Sequence, residues 1–232
     1  MASWVAQNAQ KSSSLLLSGL VKAQANPYST SNPSGIINLG TAENKLSQTR
    51  LQRKCQSLLT DLGQQDPPDW LYYGSFHGSD KLRSALADFF NRHLNPSEPL
   101  TSDHISTASG CGSIVANLTQ ALVNPGEGVL VPTPYYGGFD LDLCLYSLAT
   151  LIPVPTEKRN NFVVTIEALE EAYQSHLKTV KILVLTNPQN PTGTLIPSSQ
   201  LLEILTWART RHLTVIMDEI YALSTFSNQV CD

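Results

Sequence analysis

The sequence predicts an α/β fold in which a mostly parallel sheet is flanked by helices, preceded by an N-terminal arm. Three observations carry this. Short apolar runs of strand length recur at 129–131, Thr150–Val154, 182–185 and 214–217. Segments with helical spacing of apolar residues separate several of them, and alternation of the two kinds is the pattern of a βα sheet. The strand runs are also almost wholly apolar rather than alternating, as expected for strands covered on both faces.

The elements follow in order. Residues 1–34, rich in Ser, Gln and Asn with Pro27 and Pro33, read as a poorly ordered arm. A short extended run at 36–44 ends in a polar turn and is followed by a possible helix over 47–62, which Asp66-Pro67-Pro68-Asp69 breaks. Ser79-Asp80 opens a helix with Leu82, Leu86, Phe89 and Phe90 on one face. After Gly110-Cys111-Gly112-Ser113 a helix is expected to about Val123, ended by the turn Asn124-Pro125-Gly126-Glu127-Gly128. The strand at 129–131 delivers Pro132-Thr133-Pro134-Tyr135-Tyr136-Gly137-Gly138 at its carboxyl end. Thr150–Val154 and a helix over about 165–176 lead to the strand at 182–185, which runs into Asn187-Pro188-Gln189-Asn190-Pro191-Thr192-Gly193. Pro197-Ser198-Ser199 then starts a helix bearing Leu201, Leu202, Leu205, Ala208 and Leu213, with a serine available as N-cap. The last strand, at 214–217, runs into Asp218-Glu219-Ile220-Tyr221. A right-handed crossover makes these two strands parallel, and their carboxyl ends are where ligand sites form in such sheets.

At 232 residues with 41% hydrophobic content, the chain can bury a sizeable core. Fifteen basic and 19 acidic residues are interspersed, for a formal charge of -4. That balance offers no basic stripe for a phosphodiester backbone, so nucleic acid is not an expected partner. Cys55, Cys111, Cys144 and Cys231 show no metal spacing and read as free thiols in a reducing compartment, and no histidine pair suggests a metal. Leu15-Leu16-Leu17 is too brief for a signal segment or a membrane span, so a cytoplasmic address and no membrane partner are expected.

Several residues carry two readings at once. The Gly110-Cys111-Gly112 turn before a helix is either an anion cradle, where unpaired N–H groups and the helix dipole favour phosphate, or a simple tight turn. Val115 stands where a dinucleotide fingerprint wants its third glycine, so a nicotinamide-dependent oxidoreductase rests on this turn alone. Tyr135 and Tyr136 can stack a flat ring or merely pack. Asp218, directly after four apolar residues, is costly to bury unless something cationic or hydrogen-bonding meets it. Its partner is a buried arginine, backbone amides or the protonated ring nitrogen of a cofactor.

Together, Asn187-Pro188-Gln189-Asn190-Pro191-Thr192-Gly193 and Asp218-Glu219-Ile220-Tyr221 resemble the signature pair of fold-type I pyridoxal phosphate enzymes of the class I/II aminotransferase group. Asn38-Leu39-Gly40-Thr41-Ala42-Glu43-Asn44, His77-Gly78 and the stretch from Val131 to Asp140 resemble, more narrowly, the 1-aminocyclopropane-1-carboxylate synthase-like subgroup. The resemblance spans 36–226. It implies an arm at 1–34, an N-terminal segment of the small domain at 35–70, and the pyridoxal phosphate-binding large domain at 71–232, incomplete at its C-terminus. It also implies an amino-acid substrate and, in the complete enzyme, a homodimer.

Residue roles follow from the resemblance. Asp218 pairs with the pyridine nitrogen and keeps it protonated, which makes the ring an electron sink. Asn190 and Tyr221 hydrogen-bond the ring's phenolic oxygen, and Asn190 also meets the substrate. Tyr136 stacks on the ring, with Tyr135 as the alternative. Cys111, Gly112 and Ser113 form the phosphate cup, and Glu43 lies near the substrate.

Two departures stand out. Phe76 replaces a tyrosine whose hydroxyl reaches the cofactor in many relatives. No lysine or arginine follows Arg211, so no residue of this chain matches the lysine that binds the cofactor covalently, and no catalytic residue is assigned. The expectation is an enzyme of amino-acid metabolism, by transamination or cyclopropane formation, whose 232 residues are inactive alone. The alternative is a non-catalytic lobe that acts by binding a partner.

Overall fold

Valine, isoleucine and leucine runs form the four strands of one sheet: β1 (Gly128–Pro132), β2 (Thr150–Val154), β3 (Val180–Thr186) and β4 (Thr214–Asp218). The computed structural model describes residues 15–64, 71–177 and 179–226. All pairings are parallel, in the order β2-β1-β3-β4. The expected crossover is present: β3 and β4 pair in register from Ile182 opposite Thr214 to Thr186 opposite Asp218.

Successive side chains of a strand point to opposite faces, and β3 shows why its run is continuous. Ile182 and Val184 enter one apolar cluster with Val129, Val131, Val115, Phe139 and Leu143. Leu183 and Leu185 enter the other, with Leu130, Ile152, Leu169, Ile204 and Trp207. The first face is covered by α4 (Cys111–Leu122) and the short α5 (Phe139–Asp142). The second is covered by α6 (Ile166–Ser175) and α7 (Ser198–Thr210). Helices on both faces make this a three-layer arrangement.

Thr165 caps α6 by accepting the Ala168 N–H at 3.2 Å. The expected serine cap of α7 is not how that helix starts. Pro197 occupies the N-cap position and has no side-chain oxygen to offer, so Ser198 becomes the first helical residue. Glu170 clasps α6 to α7: it accepts the Trp207 indole N–H at 2.8 Å and pairs with Arg211, whose guanidinium lies 4.7 Å from the Trp207 ring centroid.

The chain divides by compactness between Ala108 and Ser109. The unit before that division contains α2 (Gln48–Gly63) and α3 (Asp80–His93); α1 (Leu15–Ala25) precedes them and begins at Leu15. Helix α2 matches the expected helix and buries none of its residues. Helix α3 begins as its sequence suggests, with the Ser79 hydroxyl accepting the Leu82 N–H at 3.2 Å. Arg83, 9% exposed, donates to the carbonyls of Gly78 and Ser102 and to Asp80, fixing the turn that carries His77 and Gly78. Residues 1–14 and the Asp66-Pro67-Pro68-Asp69 break lie outside the described residues.

Candidate functional site

The strand order makes a site before any side chain is considered. From β1 the chain crosses to β2 on one side and then returns to β3 on the other. Loops leaving β1 and β3 therefore diverge, and open sheets bind ligands in the crevice this creates. Residues 133–138 leave β1, residues 187–193 leave β3, and residues 219–221 leave β4.

Asp218 ends β4 and is 8% exposed. Its Oδ1 accepts the Ile220 backbone N–H at 3.2 Å and faces the Cys111 thiol at 3.9 Å. No lysine, arginine or histidine pairs with it among the described residues. Of the partners considered for this carboxylate, a backbone amide is present and a buried arginine is not. Its main chain also ties the strands together, the Asp218 carbonyl accepting the Asn187 N–H at 3.0 Å.

Asn190 and Tyr221 converge on one point, with the Asn190 Nδ2 donating to the Tyr221 hydroxyl at 3.3 Å. Gly110 precedes α4 with φ 85° and ψ 170°, a conformation that glycine adopts almost exclusively. By position, the first N–H groups of α4, on Cys111, Gly112 and Ser113, have no acceptor within the helix. The Ser113 hydroxyl donates back to the Gly110 carbonyl at 2.9 Å, so its proton is turned away from the cup.

The two tyrosines part company. Tyr135 turns to Asp140 and donates its hydroxyl at 2.9 Å; partial burial and this carboxylate push it up to about 12. Tyr136 lies edge-on to Phe139, ring centroids 5.6 Å apart, and its ring rests on Gly138, where any Cβ would come 2.2 Å from it. Partial burial pushes its hydroxyl up too, followed by the charges of Asp142, Tyr221, Asp218 and Cys111. The charges of Asp218 and Cys111 act on the hydroxyl of Tyr136 and not on that of Tyr135.

Two residues that no local pattern singles out belong here. Asp142, on α5, places both carboxylate oxygens where a Cβ on Gly112 would meet them at 3.0 and 3.1 Å. Burial raises this carboxyl above the ordinary carboxylate range. Burial, then Asp218 and then Asp142, push up the Cys111 thiol and keep it protonated. Gln189 is the second: its side chain joins the loop after β3 to the Pro134 carbonyl after β1. Only the packed sheet brings these pairs together, 55 residues apart in the latter case.

Glu43, expected near the substrate, belongs to the unit Gly19–Ala108, where it is exposed and pairs with Lys45 at 3.4 Å. Cys55, Cys111 and Cys144 are free thiols, and Cys231 lies outside the described residues. No grouping of metal-ligand side chains occurs among the described residues, and no described helix is long and apolar enough to cross a membrane.

The donor set fits pyridoxal phosphate. A nearly dry carboxylate without a cation suits a protonated ring nitrogen. A flat aromatic suits a ring face, and a helix N-terminus suits a phosphate.

Comparison with known proteins agrees. The family described as aminotransferase class I and II matches residues 34–231. A mouse protein named "Probable inactive 1-aminocyclopropane-1-carboxylate synthase-like protein 2" is 39% identical over 221 residues, covering 89% of this chain and 37% of its own length. Arabidopsis thaliana 1-aminocyclopropane-1-carboxylate synthase 6 is 35% identical over 202 residues, covering 84% and 41%. The chain thus spans about two fifths of the length of these relatives. Among solved structures, the aspartate aminotransferase of Rhizobium meliloti shares the fold, with a TM-score of 0.78, at 20% identity over 98% of this chain and 53% of that one. A Thermus thermophilus aspartate aminotransferase variant is 26% identical with a TM-score of 0.57, covering 63% and 37%. This chain belongs to the class I and II aminotransferases, a pyridoxal phosphate-dependent family, and within it is similar to the 1-aminocyclopropane-1-carboxylate synthase-like proteins.

Proposed function

We propose that residues 109–226 form the bed for pyridoxal 5'-phosphate in an enzyme of amino-acid metabolism, and that these 232 residues alone hold the cofactor without turning over substrate. The observation that carries the reading is Asp218, buried to 8% exposure and facing the Cys111 thiol, with no cation paired to it among the described residues. When bound, the cofactor supplies an electron sink for charge developing at an amino acid's α-carbon.

In this reading Asp218 accepts the ring N–H, Tyr136 covers one face of the ring, and Asn190 with Tyr221 meets its phenolic oxygen. Asn190 also faces the substrate. The Cys111 and Gly112 N–H groups hold the phosphate. Ser113 contributes its backbone N–H rather than its hydroxyl, whose proton is spent on Gly110. Glu43 contacts the amino-acid substrate in the complete enzyme, which acts as a homodimer. No lysine follows Lys181, so the chain offers no group for a covalent bond at the position the family uses.

The test is fluorescence titration of the 232-residue chain with pyridoxal 5'-phosphate, beside Asp218→Asn and Tyr136→Ala. The wild type is expected to bind reversibly, with no borohydride-trapped adduct at the site. Each variant is expected to bind at least about tenfold more weakly, the loss of one charge-assisted bond or one stacked ring. Equal binding by Asp218→Asn sinks the assignment.

A second reading rests on exposure: Leu46, Tyr73 and Phe76 stand 101%, 102% and 97% exposed. A non-catalytic lobe that covers such exposed apolar side chains with a partner predicts co-purification with a full-length homologue. Clean monomeric behaviour of the chain counts against it.

A further inference from the structure

The crevice between β1 and β3 has two walls, and one side chain spans it. Gln189 donates through Nε2 to the Pro134 carbonyl, on the loop that carries Tyr136. Through Oε1 it accepts both the Thr192 N–H at 2.8 Å and the Thr192 hydroxyl at 2.5 Å. Its own backbone closes the loop after β3: the Gln189 N–H donates to the Thr194 carbonyl at 2.9 Å, and the Gly193 N–H to the Gln189 carbonyl at 2.8 Å. Asn190 is the next residue in that loop.

We propose that Gln189 is a positioning residue that locks the Tyr136 loop and the Asn190 loop into one unit, so that two walls of the site are set by a single amide. The proposal rests on the reading of the site as a cofactor bed for its use, though not for its geometry. An amide suits the task for a simple reason. It has a donor end and an acceptor end on one rigid plane, and here the ends face opposite loops. Neither Glu nor Met can serve both.

Thr133 ties the start of this loop to β2 by donating its N–H to the Val154 carbonyl at 2.9 Å, while Tyr136 itself is lightly held. At 37% exposure its ring rests on Gly138 and meets Phe139 edge-on, while the neighbouring Tyr135 bonds within its own loop to Asp140. The Phe139 N–H, bonded to the Tyr136 carbonyl at 3.0 Å, reports on this loop. The Thr192 and Gly193 N–H groups report on the other.

Two variants separate the ends of the amide. Gln189→Glu keeps an acceptor for Thr192 but puts a carboxylate oxygen against the Pro134 carbonyl. Thr192→Val leaves Gln189 intact but removes one of its anchors on the far side of the crevice. Residue-resolved hydrogen exchange on the full 232-residue chain is the measurement.

In Gln189→Glu, exchange at Phe139 is expected to rise about tenfold while Thr192 and Gly193 stay protected, the scale of one lost neutral hydrogen bond. In Thr192→Val, exchange at Phe139 is expected to rise as well, by a smaller factor, although the substitution lies across the crevice. Wild-type exchange at Phe139 in both variants overturns the brace. Should Gln189→Glu fail to fold, Thr192→Val decides alone.

Pyridoxal 5'-phosphate titration is read separately. A chain with coupled exchange that binds no cofactor supports the brace and overturns the reading of the site. One that binds the cofactor with uncoupled exchange overturns the brace and leaves that reading standing.

Discussion

At Asp218 a carboxylate is held nearly out of water by one backbone N–H and a thiol, with Asp142 close enough for both acids to press on Cys111. Burying a charge without a cation is costly, and a second negative charge nearby adds to the cost. Removing the charge therefore has opposite effects on fold and ligand. Asp218→Asn is expected to leave the thermal midpoint of the ligand-free chain unchanged or raised by a few degrees, while weakening pyridoxal phosphate binding. A variant that loses both stability and binding shows a structural carboxylate instead.

Tyr135 makes the matching prediction for pH. Its phenol is pushed up from 10 to about 12, so the folded state favours the protonated form. The stabilisation this reflects is complete below pH 10 and is lost as pH rises through about 12. Alkaline titration of phenolate absorbance is expected to show a step near about 12 that Tyr135→Phe lacks. The stability advantage of wild type over Tyr135→Phe shrinks across the same window.

Among the elements, α4 and α7 are the two whose substitution tests the fold most directly. Gly110 starts α4 in a backbone region that costs other residues about 1–3 kcal/mol. No atom lies within 4 Å of a Cβ there, so Gly110→Ala probes conformation rather than collision. The variant is expected to lose that much stability, read as a lower urea midpoint at unchanged slope, and to bind an anion at the helix start more weakly. Ile204, fully buried on α7 in the apolar cluster with Leu183, Leu185 and Trp207, probes packing. Ile204→Ala is expected to cost about 2–5 kcal/mol, read as a shift in urea midpoint with an unchanged slope.

These elements also show what was legible. Period and composition placed α4, α6 and all four strands within a residue or two, because each buries a face that its own sequence must supply. Helix α3 starts where Ser79 caps it, but it buries Arg83 and Ala87 and leaves Leu82 and Phe89 of its apolar face exposed. The start of α7 went differently: a serine was available, but Pro197 took the N-cap position.

At the scale of the unit that carries the sheet, three layers around strands in the order β2-β1-β3-β4 place the loops of β1, β3 and β4 at one sheet end. A ligand held there by the folded chain alone stabilises it by mass action, about 2.7 kcal/mol at a hundred times its dissociation constant. The thermal midpoint of the wild type is expected to climb with pyridoxal 5'-phosphate concentration, and that of Asp218→Asn to climb much less. A midpoint indifferent to the cofactor in the wild type contradicts the proposed bed.

The sequence alone determined the alternation of strands and helices, the strand ends that carry Asn190, Asp218 and Tyr221, and the resemblance to a pyridoxal phosphate family. Each depends on residues close together in the chain, where period, turn chemistry and motif spacing are visible. Only the tertiary structure decided that Tyr135 turns to Asp140 while Tyr136 packs on Gly138 and Phe139, and that the Ser113 proton is spent on Gly110. It alone set Asp142 against Gly112 and Gln189 across the crevice. Those facts depend on which surfaces the packed sheet brings together, a property of three-dimensional distance that spacing along the chain does not encode.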